Sequence, residues 1–448
     1  MSQISVFGLG YAGLTFATCL ASKGFEVIGV DVDPTKVETI NKGKPPFHEP
    51  GLDQLLATTT KKGQLTAITD PQTAVLQTQI TFICVGTPSL PDGSANLEYL
   101  KNATKAIAQT LAKKNIWHLI VIRSTVPPGT TQNIVKPLIQ KNSNKKPGKD
   151  FGLCVNPEFL REGTAIHDIL HPSKIVIGEI DKKSGDTLEA LYRKFYKNQT
   201  PPIIRTTPTN AELIKYANNA FLATKISFIN TIANICQRLP QTNIDIIAKA
   251  IGLDPRINSQ FLQAGPGFGG SCFPKDLKAL IATAKQLGYQ PKLLQAVLQV
   301  NEEQPQKVVQ LAEQLLGNLK GKRIAILGLA YKPSTDDIRE SPAIKIINRL
   351  LKQGAQITAH DPVAIPNTKK QLGNKIQYAN TPHQCLKNAH LAIIITDWPQ
   401  YKQLTPQDYI KHMKTPNIID TRRIYNLQQY KAKTNYIAIG IGPQKQNT

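Results

Sequence analysis

Apolar positions gather at the start of the chain into a short run at residues 3–7 (Gln-Ile-Ser-Val-Phe), which reads as a buried strand. A helically spaced stretch follows over 14–23, and a second strand over 26–30 is closed by Asp31. Further apolar runs occur at 80–85, 119–122, 152–155 and 175–177, with helical spacing between most of them. Strands alternating with helices predict a parallel sheet covered on both faces. That pattern fills about the first 200 residues.

The spacing then changes. Thr209-Asn210-Ala211-Glu212 has the form of a capping box, with Thr as cap and Glu reaching back. No Pro or Gly follows until Pro240, which predicts a helix of about 30 residues, roughly 45 Å long. Such a helix is too long for an ordinary crossover and reads as a spine joining domains. More helical sequence is interrupted by a glycine-rich loop, Gln263-Ala264-Gly265-Pro266-Gly267-Phe268-Gly269-Gly270. After a linker signal at 317–322, strands at 323–327, 356–359, 391–395 and 417–419 and a helix at 343–352 form a second, smaller α/β unit. The last six residues read as a frayed tail.

Composition narrows the function classes. With 448 residues, 41% hydrophobic and 19% charged, the chain supports several packed domains. No apolar run reaches the roughly 18 residues of a membrane span, and the immediate strand leaves no room for a signal peptide. Six cysteines without regular spacing argue against a disulfide framework or a zinc ribbon, and no metal ligands are assigned. Reducing cytoplasm is the expected compartment. The net charge of +23 would attract nucleic acid, anionic lipid or phosphorylated small molecules. Only 11 of the 54 basic residues are Arg, however, and the lysines are spread along the chain. Base readout favours Arg, and phosphate tracking favours a concentrated patch. The charge therefore reads as a solvated surface, with neither nucleic acid nor membrane as partner.

Five motifs carry chemistry. Gly8-Leu9-Gly10-Tyr11-Ala12-Gly13 follows a strand, opens a helix and is followed 18 residues later by Asp31. This is the dinucleotide pattern: Gly8 for the turn, Gly10 for approach of the pyrophosphate, Gly13 for helix–strand packing. Asp31 would bind a ribose hydroxyl and repel a 2′-phosphate, favouring NAD over NADP. Gly269-Gly270-Ser271-Cys272-Phe273-Pro274-Lys275-Asp276 presents a cysteine after a flexible glycine loop and before a cation that would stabilise thiolate. It is a nucleophile or an ordinary loop cysteine, whereas Cys19, Cys84, Cys154 and Cys236 sit in apolar runs. Lys215 and Asn219 share a face of the spine helix and could hold an oxyanion, or merely line a partly exposed surface. Asn156-Pro157-Glu158-Phe159-Leu160-Arg161-Glu162-Gly163 reads as a short capped helical turn whose two carboxylates serve acid–base work or form an exposed acidic turn. Ser124 to Thr130 follows a strand, where its hydroxyls either position ligand or cap the next helix.

Together these motifs resemble the UDP-glucose 6-dehydrogenases, within the UDP-glucose/GDP-mannose dehydrogenase family. The resemblance spans nearly the whole chain in order, adding Glu49-Pro50-Gly51-Leu52, Val85-Gly86-Thr87-Pro88 and Gly328-Leu329-Ala330-Tyr331-Lys332-Pro333. It implies an α/β fold with two Rossmann-like doubly wound domains joined by a long central helix. The implied domains are an NAD-binding domain at 1–204, a central helical and dimerisation domain with the cysteine loop at 205–316, and a UDP-binding domain at 317–448. The implied reaction takes the sugar C6 alcohol of UDP-glucose to the carboxylate of UDP-glucuronate with two NAD⁺.

Residue by residue, the resemblance makes Cys272 the nucleophile of a thiohemiacetal and then a thioester. Lys215 and Asn219 would stabilise oxyanions, Asp276 would activate water, Thr125 and Glu162 would orient water and relay protons, and Glu158 would line the same catalytic pocket. Which acid is the general base stays open. The cofactor would meet Gly8, Gly10, Tyr11, Gly13, Asp31, Lys36, Thr87, Thr125, Glu162, Lys275 and Arg339. The substrate would meet Glu158, Phe159, Leu160, Lys215, Asn219, Arg256, Phe261, Leu262, Gly269 and Lys332, with Arg256 reaching a neighbouring subunit of a homodimer or larger assembly. Gly328-Leu329-Ala330 departs from the dinucleotide pattern, so no second NAD is expected there. Thr421 is a mild departure in Asp420-Thr421-Arg422-Arg423. Ser before Cys272 suits the UDP-glucose branch. The alternatives are another nucleotide sugar (a UDP-N-acetyl-hexosamine or GDP-mannose), a two-electron hydroxyacid-type dehydrogenase without a catalytic thiol, and a nucleic-acid binder.

Overall fold

A computed structural model describes residues 3–443, so all but the first residue of the six-residue tail lies outside the described part. The chain divides into two compact units, Met1–Asn218 with Lys278–Tyr289, and Asn219–Leu277 with Gln290–Thr448.

In the first unit, β1 (Gln3–Phe7), β2 (Glu26–Val30), β3 (Leu65–Ile68), β4 (Ile80–Ile83), β5 (His118–Ile122), β6 (Phe151–Val155), β7 (Ile175–Glu179) and β8 (Ile203–Thr206) form one sheet. Its order is β3-β2-β1-β4-β5-β6-β7-β8. The strands that read as unbroken apolar runs are buried on both faces, as parallel strands under two helical layers must be. The order reverses between β1 and β4, which makes the carboxyl ends of those strands the ligand crevice.

One pairing departs from the expected parallel sheet: β6 and β7 run antiparallel, Val155 facing Gly178. An antiparallel neighbour begins where its partner ends. Both ends of the 156–174 segment therefore stay on the carboxyl side of β6, and the Asn156–Gly163 motif is kept at the ligand edge rather than carried over the sheet.

In the second unit, β9 (Arg323–Leu327), β10 (Gln356–His360), β11 (Gln377–Tyr378), β12 (Leu391–Ile394), β13 (Asn417–Asp420) and β14 (Asn435–Ala438) form a wholly parallel sheet. Its order, β11-β10-β9-β12-β13-β14, is again doubly wound.

The long central helix is Pro208–Cys236, 29 residues. It starts differently from the expected capping box. Thr207 precedes a proline in the first helical turn, and its Oγ1 accepts from Asn210 N at 3.3 Å. Glu212 is thereby left inside the helix and is used elsewhere.

Candidate active site

The β1 loop is built for a close ligand. Gly8 has φ +89°, and a Cβ on Gly13 would lie 1.9 Å from the Gly8 carbonyl oxygen. Only glycine permits both. A Cβ on Gly10 would meet nothing within 4 Å, so the space above that residue is open. Gly10 precedes the helix Tyr11–Ser22 and offers no side-chain cap, leaving the first N–H groups directed at the crevice. Asp31 ends β2, buried at 8% exposure; Oδ2 accepts from Leu9 N at 2.8 Å, and both oxygens lie 3.0 Å from Lys36 Nζ. These residues fit the pyrophosphate and ribose of a dinucleotide.

Glu49, fully buried, fastens this loop to the next motif. Its carboxylate accepts from Tyr11 Oη, from Gly163 N at 2.7 Å and from Ala165 N at 2.7 Å. Burial, with Glu49 beside it, drives the Tyr11 phenol far above its ordinary range, so it stays protonated, donating to Glu49 while its oxygen accepts from Gly163 N at 2.8 Å.

The β4 and β5 loops are tied together, with Thr87 Oγ1 donating to Thr125 O at 2.7 Å and Ser124 Oγ to Val85 O at 2.7 Å. Glu212 reaches across from the central helix to accept from Gly129 N at 2.6 Å and Thr131 N at 2.8 Å. It holds the Ser124–Thr130 loop, the role that a purely local capping reading misses.

The Asn156–Gly163 motif does not form the expected helical turn. Asn156 is not a cap. Its Oδ1 accepts from Arg123 Nη1 at 2.6 Å and from Tyr192 Oη, and its Nδ2 donates to Val176 O at 2.8 Å. With Asn156 spent on the strands, the chain leaves extended, and Glu158 and Glu162 are not neighbours on a helix face. Glu158 instead pairs with Lys215 Nζ at 3.1 Å, and Glu162 is buried separately at 8% exposure. Lys215 Nζ also sits 5.5 Å from the Phe159 ring centre. Leu160 packs on the hydrophobic core.

In the second unit, Cys272 immediately precedes the helix Phe273–Gln286, and its carbonyl accepts from Asp276 N at 2.8 Å. A helix N-terminus favours thiolate. Burial pushes the Cys19 and Cys84 thiols up to about 12 and raises Cys154 and Cys385 as well. Cys272 is half-buried, as Cys84 is, with Ser271 Oγ 3.4 Å from its sulfur. Asp276 is 1% exposed, accepting from Asn219 Nδ2 at 2.7 Å and Lys275 Nζ at 2.6 Å. One helical turn separates Lys215 from Asn219, yet each has a carboxylate of its own, Glu158 and Asp276.

The glycine-rich loop is clasped rather than loose. Asn301 Oδ1 accepts from Phe268 N at 2.6 Å, and its Nδ2 donates to Phe268 O at 3.0 Å. Pro305, four residues on, lies inside the helix Lys292–Leu316 and supplies no N–H to the Asn301 carbonyl. Asn230 and Gln304 bind the two sides of Gly265 at 2.8 and 3.0 Å. Cβ atoms on Gly269 and Gly270 would come within 2.5 Å of the Glu340 carbonyl and 2.8 Å of the Tyr331 ring. Phe261 has φ +64°, a left-handed conformation that is an outlier for so bulky a residue, while Leu262 is buried in the core.

Arg339 is chelated by Asp337, 2.9 Å from Nε and 2.7 Å from Nη2, and its carbonyl accepts from Gly270 N. Lys332 Nζ lies 5.7 Å from the Tyr331 ring centre. Arg256 is 87% exposed and paired with Asp254. Arg422 donates to Ile395 O at 2.8 Å, directly against Gly265.

Glu49, Asn301 and Asp361 carry functions that sequence reasoning did not assign. Asp361 follows β10 as Asp31 follows β2, accepting from Leu329 N at 2.8 Å and from Trp398 Nε1 at 3.1 Å. That repeated placement was the available signal.

Known proteins give the same picture. Family models of the UDP-glucose/GDP-mannose dehydrogenases match in chain order: the NAD binding domain at residues 2–196, the central domain at 209–303 and the UDP binding domain at 325–427. The chain is 44% identical over 423 residues to a UDP-glucose 6-dehydrogenase, AglM, of Haloferax volcanii, covering 94% of this chain and 97% of that one. It is 42% identical over 442 residues to a UDP-glucose 6-dehydrogenase, TuaD, of Bacillus subtilis, covering 99% and 93%. Among solved structures, a UDP-glucose dehydrogenase of Pyrobaculum islandicum superposes with TM-score 0.91 at 39% identity, covering 98% of each chain. A UDP-D-ManNAc dehydrogenase of Pyrococcus horikoshii superposes with TM-score 0.86 at 28% identity, covering 98% and 99%. With its crevice fitted to a dinucleotide and its sequence matched from end to end, this chain belongs to the UDP-glucose/GDP-mannose dehydrogenase family and is an NAD-dependent oxidoreductase.

Proposed function

We infer that the chain oxidises the C6 alcohol of UDP-glucose to the carboxylate of UDP-glucuronate, with Cys272 as the covalent nucleophile. Bound NAD⁺ supplies the hydride acceptor, and two molecules balance the four electrons removed. The observation that carries the reading is the placement of Cys272. It stands at a helix start beside the Asn219–Asp276–Lys275 cluster, whereas the thiols of Cys19, Cys84, Cys154 and Cys385 are raised by burial.

The Cys272 thiolate adds to the C6 aldehyde, forming a C–S bond and a thiohemiacetal oxyanion. This keeps the aldehyde bound and presents the remaining C6 hydrogen for the second oxidation. Loss of that hydrogen as hydride leaves a thioester. Water attack breaks the C–S bond, releasing the carboxylate and returning the thiolate. Lys215 and Asn219 stabilise the oxyanions. Asp276 takes a proton from the attacking water, Thr125 and Glu162 orient water and relay protons, and Glu158, paired with Lys215, lines the same pocket. Phe159, Leu160, Phe261, Leu262, Gly269 and Lys332 shape the substrate site, and the exposed Arg256 completes that of a second subunit in a homodimer or larger assembly. Six free cysteines suit a reducing cytoplasm, and no helix among the described residues is long and apolar enough to cross a membrane.

The likeness to a UDP-D-ManNAc dehydrogenase keeps an N-acetylated sugar as the second reading. Exhaustive turnover of limiting UDP-glucose with excess NAD⁺ tests the first. Two NADH per sugar are expected. One NADH would remove the thioester step, and none would move the substrate to UDP-N-acetyl sugars or GDP-mannose.

A further inference from the structure

Among the described residues, one group of His, Cys, Asp and Glu side chains brings three potential metal-ligand atoms together: His383, Asp408 and His412. They lie on two short helices of the second unit, Pro382–Leu386 and Pro406–His412, which lead into β12 and β13. The loops that follow β9 and β13 contain none of them.

Asp408 and His412 are four residues apart and so share a helix face. His383 Nε2 lies 3.2 Å from Asp408 Oδ1, the His383 and His412 ring centres are 5.0 Å apart, and the three ligand atoms fall within 4.8 Å of one another. A tetrahedral ion bonded at about 2.0–2.1 Å sets its ligand atoms roughly 3.3–3.4 Å apart, close to the 3.2 Å between His383 Nε2 and Asp408 Oδ1.

The carboxylate is oriented from behind. Its Oδ2 accepts from Thr405 N and Thr405 Oγ1, each at 2.7 Å, leaving Oδ1 for the histidines. The backbone is fixed independently, since His412 O accepts from Asn388 N at 2.8 Å and Thr381 Oγ1 from Gln384 N at 3.2 Å.

We propose that His383, Asp408 and His412 bind a divalent transition-metal ion, which clamps the two helices together. Two imidazoles and one carboxylate select Zn²⁺ and its neighbours over Mg²⁺ or Ca²⁺, and the fourth position is left to water. Each helix is too short to be stable alone, so a cross-link stabilises the turns that precede two central strands. His383 lies 25 residues before Asp408, so only the Asp408–His412 part of the spacing was local in sequence.

The test uses the full-length chain without an affinity tag, stripped with a chelator. It is titrated with Zn²⁺ by calorimetry and with Co²⁺ by visible absorption. One ion per chain is expected, with affinity at least about tenfold weaker in His412→Ala and in the more exposed His383→Gln. NADH formation should be unchanged in both variants, and melting in chelator shows that each folds. Equal isotherms in all three proteins, a Co²⁺ spectrum with thiolate charge transfer pointing to a cysteine, or no binding would each overturn the site.

Discussion

Lys215 Nζ lies 3.1 Å from Glu158 Oε1, in an ion pair whose side chains are only 4% and 11% exposed. Burial alone would raise the Glu158 carboxyl. The Lys215 charge, the Leu160 N–H and Arg123 outweigh it and hold the group below its ordinary range. A depressed folded pKa gives stability that is present above the unfolded value of about 4.3 and lost as pH falls through the folded one. Lys215→Ala removes the main opposing charge, so Glu158 should rise and its contribution should vanish at higher pH than in the parent. Loss of one partner from a buried pair should cost about 3–5 kcal/mol in urea unfolding at neutral pH. If Lys215 stabilises the transition state, kcat should fall about 10²–10³-fold with a smaller change in KM. An unaltered kcat would refute that role.

Cys272→Ser should end steady formation of UDP-glucuronate while leaving the fold intact, because the side chain is half-buried and close in size to serine. A slow first oxidation is the expected residue of activity. Chromatography of the products decides the matter, and full four-electron turnover by the serine variant would sink the thioester.

Gly10 and Gly13 should separate binding from folding. Gly10→Ala meets no protein atom within 4 Å, so the melting temperature should hold while NAD⁺ affinity falls at least about tenfold. Gly13→Ala would place its Cβ 1.9 Å from the Gly8 carbonyl and should destabilise the first unit by several kcal/mol. Calorimetry and thermal melts on both variants check the contrast. Equal behaviour would contradict the loop geometry.

Asp31→Ala should weaken NAD⁺ binding about tenfold or more and narrow the preference over NADP⁺, since it removes both the ribose acceptor and the charge that repels a 2′-phosphate. It also leaves Leu9 N and Lys36 without a shared partner, so a stability loss of about 1–3 kcal/mol should accompany it. Unchanged affinity for both cofactors would count against the assignment.

Much of the fold was legible because strand and helix periods are local. Residues 3–7, 26–30 and 323–327 became β1, β2 and β9 at those bounds. What failed was local reading of side chains whose partners are distant. The Glu212 spacing suggested a capping box, but Thr207-Pro208 started the helix earlier and the carboxylate went to Gly129 and Thr131. Asn156 looked like a cap and instead bridges to Arg123, Tyr192 and Val176. Glu49 fell within a recognised motif, yet its work depends on Gly163 and Ala165, more than 100 residues away. Pattern finds what periodicity repeats and has no access to a single long-range hydrogen bond.

The two-point grip of Asn301 on Phe268 changes what the glycines before Cys272 are for. A primary amide here imitates one rung of a β-ladder, so the segment is held like a strand without a neighbouring strand. Gly269 and Gly270 provide thinness, letting backbone pass beneath Glu340 and Tyr331 where no side chain fits. The entropy lost in ordering this stretch is then lost once, when the chain folds, and does not recur with each substrate molecule.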